Sequence, residues 1–325
     1  MSEVVREGVS EVVSEDRPGP GCYGSRVDQL RRAIKSDFSL RVIAAVTTEL
    51  VVEACSRHAL RGVEAVALGR ALTAGCLLTT LTKHESERLR LEMRGSGPLR
   101  GILVDARGDG TIRGCLQRHL TAEEHGRLSA GTGRLRVAPA LGKRGTLIVT
   151  RDVGLETRYQ GTVEVVSGEV DEDLEHYLNT SEQLPSVLAC EVVLDHHDRV
   201  LRVAGVLAQT FPGGDTTELD GLRGVLAAGS LVDLLRNDRS CEELIGFALG
   251  GEAYDDMGAS PLKFLCNCGP ERARSVVSTL GADDVDALAA EQPQTEIRCE
   301  YCGSVYALSA AELHELAADI RRGRS

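Results

Sequence analysis

The sequence predicts an α+β protein: an N-terminal domain of helices and largely antiparallel sheet, then a helical linker, then a small C-terminal unit. Three observations carry that expectation. Apolar and charged residues alternate over 88–95 and in later segments, whereas 47–81 has a helical period followed by a long run of small apolar residues. The stretch 217–250 keeps a helical pattern although several glycines interrupt it. Beyond it, four of the ten cysteines fall in two close pairs, within FLCNCGPERAR (264–274) and CEYCG (299–303).

Residues 1–24 are rich in acids and read as a flexible extension. They hold no apolar core of signal-peptide length, which predicts a cytoplasmic, reducing location. Residues 25–212 form the N-terminal domain. Its segment DQLRRAI is expected to be a first helix, and the β-branched SLRVIAAVT (39–47) a strand. TTELVVEACSRHAL (47–60) follows as a helix with Thr47 as its N-cap. VEAVALGRALTAGCLLTTL (63–81) contains Glu64 and Arg70 and reads as a buried helix, not a membrane span. RLRLEMRG (88–95) has the period of a half-buried strand. PLRGILVDA and TIRGCL make a hairpin about RGDG (107–110), and 145–168 makes a second one turning near Asp152. DEDLEHYLNTSEQLP (171–185) is expected to be a helix ended by Pro185. VLACEVVL (187–194) and RVLRVAGVLAQTF (199–211) are strands around a turn of His196, His197 and Asp198.

Residues 213–258 are the linker. Each glycine inside a helix costs about 1 kcal/mol relative to alanine, so this segment is expected to be metastable without something to dock on. Residues 259–325 form the C-terminal unit. GPERARSVVSTLG places Pro270 at a helix start and Gly281 past its end. ADDVDALAAEQ is a second helix, TEIRC and SVYAL form a hairpin, and Ser309 with Glu312 makes a capping box for the last helix.

The net charge of −12 argues against a nucleic-acid partner, and the acids Glu296 and Glu300 beside CEYC have the wrong sign for one. Arg88, Arg90, Arg94 and Arg100 read as the solvent face of strands. No nucleophile elbow or phosphate loop occurs, and the adjacent histidines in a turn read as solvated, so an enzyme is not expected. CEYC alone has the spacing of a thiol–disulfide oxidoreductase, but it falls in an expected hairpin and not at a helix N-terminus. Cys55, Cys76, Cys115, Cys190 and Cys241 read as core filling, Cys22 as exposed.

Cys266, Cys268, Cys299 and Cys302 are the ligand set of a closed tetrahedral zinc site, one ion per chain. A unit of this size has little core of its own and is expected to fold around its ion. The CxC pair is unusual for a purely structural knuckle. Zinc keeps sulfurs as thiolates, roughly 3.8 Å apart in a tetrahedron with Zn–S bonds near 2.3 Å. Once one is oxidised to sulfenic acid a neighbour can close a disulfide, and the ion loses ligands. The pattern therefore suits a redox switch.

CNC, thirty residues, then CEYC resembles the switch of the heat shock protein 33 chaperone family. RYQGTVEV (158–165) and YLNTSEQLP (177–185) resemble that family's N-domain segments, and the likeness covers about 25–318. It implies a cytoplasmic, ATP-independent holdase for unfolding clients, zinc-bound and inactive when reduced. It further implies that oxidation forms Cys266–Cys268 and Cys299–Cys302 disulfides, releases zinc, unfolds the linker and yields a homodimer. Nucleic acid and membrane are not expected partners.

Overall fold

A computed structural model describes residues 27–82, 84–128, 134–154 and 158–323; the expected extension 1–24 and Cys22 lie outside them. The apolar run after Arg61 folds as a helix, Gly62–Leu78, in which every residue is buried. A helix with no polar face must be covered on all sides, and two sheets do this. In chain order the elements are β1 (Gln29–Lys35), β2 (Leu40–Val46), α1 (Thr48–His58), α2 (Gly62–Leu78), β3 (Arg88–Gly95), β4 (Gly101–Arg107) and β5 (Thr111–Leu116). Then come α3 (Ala122–Leu128), α4 (Ala138–Leu141), β6 (Gly145–Asp152), β7 (Tyr159–Glu164), α5 (Val170–Thr180), β8 (Ser186–Leu194) and β9 (Val200–Thr210). The first sheet has the order β10-β1-β2-β9-β8, the second β11-β5-β4-β3-β6-β7, where β10 (Tyr254–Pro261) and β11 (Lys263–Phe264) arrive from much later in the chain. All pairings are antiparallel except β11 with β5.

α2 packs on β8 and β9 with one side and on β4 and β5 with the other, and α1 and α5 flank it. The apolar run Gly62–Leu81, long enough to cross a membrane, is thus the core of a folded domain, its helix Gly62–Leu78 wholly buried. Inside it Arg70 is 1 % exposed and donates to Glu169 and Glu191, each at 3.0 Å. Glu169 also accepts from the amides of Val137 and Ala138, so the buried charges are met from several elements.

The outer face of the first sheet carries α6 (Thr217–Ala227), α7 (Ser230–Arg236) and α8 (Cys241–Ala248), the helices expected in the linker. Leu219, Leu222, Leu231, Leu235, Leu244 and Ile245 meet Val42, Ala44, Val187 and Val206 in a second apolar cluster. The C-terminal unit follows with α9 (Pro270–Ser278), α10 (Ala282–Glu291), β12 (Gln294–Arg298), β13 (Val305–Ser309) and α11 (Ala310–Arg321), around a small core of its own. Its capping box at Ser309 and Glu312 is present.

Three expectations are corrected. DQLRRAI is strand β1, not a helix. Tertiary pairing on both edges overrides the propensity, and both faces of the strand are covered. Leu30 meets the apolar cluster around α2 and Ala33 the cluster on the opposite face, so two buried residues stand three apart and imitate a helical period. Thr47 sits at the N-cap of α1 but its hydroxyl lies 2.7 Å from that of Thr73; Asp28 receives the free amides of Glu49 and Leu50 instead. Helix α5 ends at Thr180, ahead of Pro185, because Gln183 adopts φ +54° and the amide of Leu184 turns back to Leu178 O.

One strap was not foreseen. Residues 254–264 run as the edge strand of the first sheet and then of the second. Leu262 between them is buried, and its amide donates to Asp28 O. Gly110, at φ +80°, lets the strap pass: a Cβ there would lie 2.1 Å from Pro261 O.

Gly221, Gly224 and Gly246 lie inside α6 and α8, and an added Cβ at each meets nothing within 4 Å. Replacing them with alanine should stabilise the linker helices by about 1 kcal/mol per site. Slower hydrogen exchange across 217–248, with unchanged exchange in α2, is the expected result.

Candidate metal centre

Cys266 and Cys268 lie between β11 and α9, and Cys299 and Cys302 lie in the turn from β12 to β13. The turn is closed by the Cys299 amide donating to Ser304 O and the Gly303 amide to Cys299 O, both 2.8 Å. Gly303 has φ +70°, and a Cβ there would approach Arg57 O to 2.9 Å, where the turn abuts the end of α1. All four sulfurs are within 4.8 Å of one another. Cys266 and Cys299 are separated by 3.7 Å, and Cys268 and Cys302 by 3.3 Å. These separations suit thiolates around one tetrahedral ion, and an all-sulfur set selects zinc or iron over harder cations. The sequence-predicted ligands are therefore brought together as a group.

The neighbours tune the sulfurs. Tyr306 donates its hydroxyl to Cys268 Sγ at 3.0 Å, and Arg113 donates to Cys266 Sγ at 3.5 Å. Burial pushes the Cys266 thiol up to about 12, against the pull of Arg113. Burial also acts on Cys302, but hydrogen bonds from Ser304 and the neighbouring thiols outweigh it and bring that group down to about 7. The other described cysteines, Cys55, Cys76, Cys115, Cys190 and Cys241, are buried and free, as core filling requires.

A joint between the two domains surrounds the cluster, and nothing in the spacing of the cysteines announced it. Tyr301, between the two cysteines of CEYC, lies beneath the guanidinium of Arg113, 4.0 Å from the ring centre. Its hydroxyl accepts from Arg90 at 3.2 Å, and its carbonyl oxygen lies 3.0 Å from His58 Nε2. Arg90 and Arg113 both donate to Asp105. Although burial opposes ionisation of Asp105, these two guanidiniums hold its carboxyl below the usual range. The one sequence signal was the arginine-rich period of β3, read as a solvent face; Arg88, Arg90 and Arg94 are all exposed, and Arg90 also serves the joint.

The sequence model of a family described as Hsp33 protein matches residues 28–309. A 33 kDa chaperonin of Geobacter sulfurreducens is 36% identical over 290 residues, covering 89% of this chain and 94% of the relative. One of Synechocystis sp. is 36% identical over 312 residues, covering 92% and 98%. The crystal structure of a 33 kDa chaperonin from Thermotoga maritima superposes with a TM-score of 0.79 at 27% identity, over 90% of this chain and 98% of that one.

Two outcomes follow from this geometry. Tyr301→Ala should remove about 1–2 kcal/mol of docking, seen as faster hydrogen exchange at 299–306, while metal stoichiometry stays the same because no thiol is lost. Metal affinity should fall with acid. Cys266, protonated at neutral pH, must release its proton on binding, so each such thiol weakens the apparent affinity about tenfold per pH unit lowered. Competition with a chromogenic chelator between pH 8 and 6 reads this directly.

Proposed function

Because the chain belongs to the Hsp33 family and is thereby a chaperone of the 33 kDa chaperonin type, we propose that it is a redox-regulated, ATP-independent holdase of the cytoplasm. It acts by binding unfolding proteins and not by turnover. Neither nucleic acid nor membrane is a partner in this reading, and the active form is a homodimer. The observation that carries the proposal is the group of four sulfurs within 4.8 Å of one another, on a unit joined by the strap to the linker.

Cys266, Cys268, Cys299 and Cys302 would hold one Zn²⁺ in the reduced protein. The ion supplies charge that keeps four sulfurs as thiolates and ties the CNC loop to the CEYC turn. Oxidation removes two electrons from a pair of thiolates for each disulfide formed; hypochlorous acid accepts them together with one proton from solvent and becomes chloride and water. We assign the pairs Cys266–Cys268 and Cys299–Cys302. The shortest sulfur contacts run across the pairs instead, but a cross-pair bond would keep loop and turn tied together, whereas within-pair bonds free them. With loop and turn free, the strap and the glycine-weakened helices α6 to α8 lose support. Their departure exposes the apolar outer face of the first sheet, with Val42, Ala44, Val187 and Val206, as a client surface.

The test is zinc content, disulfide mapping and suppression of client aggregation, before and after hypochlorous acid or warm peroxide. Loss of one zinc per chain together with within-pair disulfides and new anti-aggregation activity is expected. Retained metal with no activity would make the centre structural, and bound iron or cross-pair disulfides would overturn the corresponding assignment.

A further inference from the structure

The outer face of the second sheet holds a cleft of about 570 Å³ whose far wall is the loop carrying Leu265 and Asn267 with Arg272 of α9. Seven arginines and three carboxylates line it, in a chain whose net charge is −12. Four of these arginines have acidic partners: Arg90 and Arg113 share Asp105, Arg94 pairs with Glu92, and Arg158 lies 3.5 Å from Asp152. Arg88, Arg107 and Arg272 form no ion pair among the described residues.

Arg88 and Arg107 are direct cross-strand partners in the pairing of β3 with β4. Like charges set opposite one another destabilise a sheet. Although Asp152 faces Arg88 from β6, that carboxylate lies 3.5 Å from Arg158 and makes no ion pair with Arg88, so the arginine pair is only partly compensated. A bound anion would reverse the sign of its contribution. On β3 the outward positions run Arg88, Arg90, Glu92 and Arg94, about 7 Å from one to the next, with Glu92 paired to Arg94 and Arg107 set beside Arg88. That row matches a ligand with repeated negative charges better than a single ion, and the planar guanidinium fork favours phosphate oxygens. The lining contains no aromatic side chain on which a base could stack.

We propose that this cleft binds an inorganic oligophosphate, with Arg88, Arg107 and Arg272 as its principal contacts. The cleft borders the four sulfurs, sharing Asn267 of the CNC loop and Arg113 with them, but the assignment does not depend on the redox reading.

The experiment is calorimetric titration of the reduced full-length protein with tripolyphosphate, orthophosphate, ATP and an oligoglutamate. Tripolyphosphate should bind once per chain, at least roughly tenfold more tightly than each of the others, and more weakly as salt is raised. Arg88→Ala with Arg107→Ala should weaken it by roughly tenfold or more, with Tm unchanged or raised because a repulsion is relieved. Arg236→Ala, on exposed α7 away from the cleft, should change nothing. Wild-type affinity in the double variant, or no saturable binding at all, overturns the proposal. Tighter ATP or oligoglutamate binding overturns it in favour of a nucleotide or an acidic peptide. Should the double variant lose its fold, Arg272→Ala on the surface of α9 decides: undiminished binding there also refutes the assignment.

Discussion

Everything in the N-terminal domain is arranged around a helix that is apolar on every side. Since α2 uses the inner faces of both sheets, whatever apolar surface the first sheet presents outward needs a different cover. Strands β2 and β9 are buried on both faces, with Val42, Ala44, Ala204 and Val206 pointing away from α2. The linker helices supply that cover. Arg70 fixes the placement of α2 from within, because its guanidinium must meet Glu169 and Glu191 at once. Displacing either carboxylate would strip the buried Arg70 of one of its two partners, a loss of at most about 3–5 kcal/mol. The inner layers are thus strongly determined, and the outer layer is where the molecule has latitude.

The two attachments of that outer layer differ in kind. The linker helices lie on a broad apolar face, bordered by ion pairs such as Lys35–Glu218 and Arg223–Glu175. The cysteine-bearing unit is held by a small polar joint built on Tyr301, Arg113, Arg90 and Asp105. Apolar contact is cooperative and extensive, whereas a joint of a few oriented contacts depends on geometry. A change in the shape of the CEYC turn therefore acts on the weaker attachment first. Arg31 connects the two, pairing with Glu242 on α8 and with Asp256 on the strap.

Much of this was legible before any coordinates. The buried helix, both hairpins, the helical character of the linker and the four-sulfur group all follow from periodicity, turn residues and cysteine spacing. The break at Gly229 that divides the first linker stretch into α6 and α7 was not expected. What escaped did so for identifiable reasons. In β1 both faces are covered, Leu30 by one apolar cluster and Ala33 by the other, so a strand displays the spacing of a helix. The strap escaped because YDDMGASP is an edge strand exposed along much of its length, and no alternation of apolar residues marks it. The joint pairs Tyr301 with residues some two hundred positions earlier, and no local pattern encodes such a contact. Thr47 was a sound expectation for a cap, but an acid from a neighbouring strand reached the same amides.

The strap has a consequence beyond the burial of side chains. Its backbone completes the hydrogen bonding of β1 on one sheet and of β5 on the other. Removing this one segment would turn both strands into open margins, each with a row of amides and carbonyls lacking partners. Such a margin is a template for any extended chain, whatever its side chains. A single covalent event in the C-terminal unit would then present two kinds of adhesive at once, one that recognises greasy surface and one that recognises the peptide group itself.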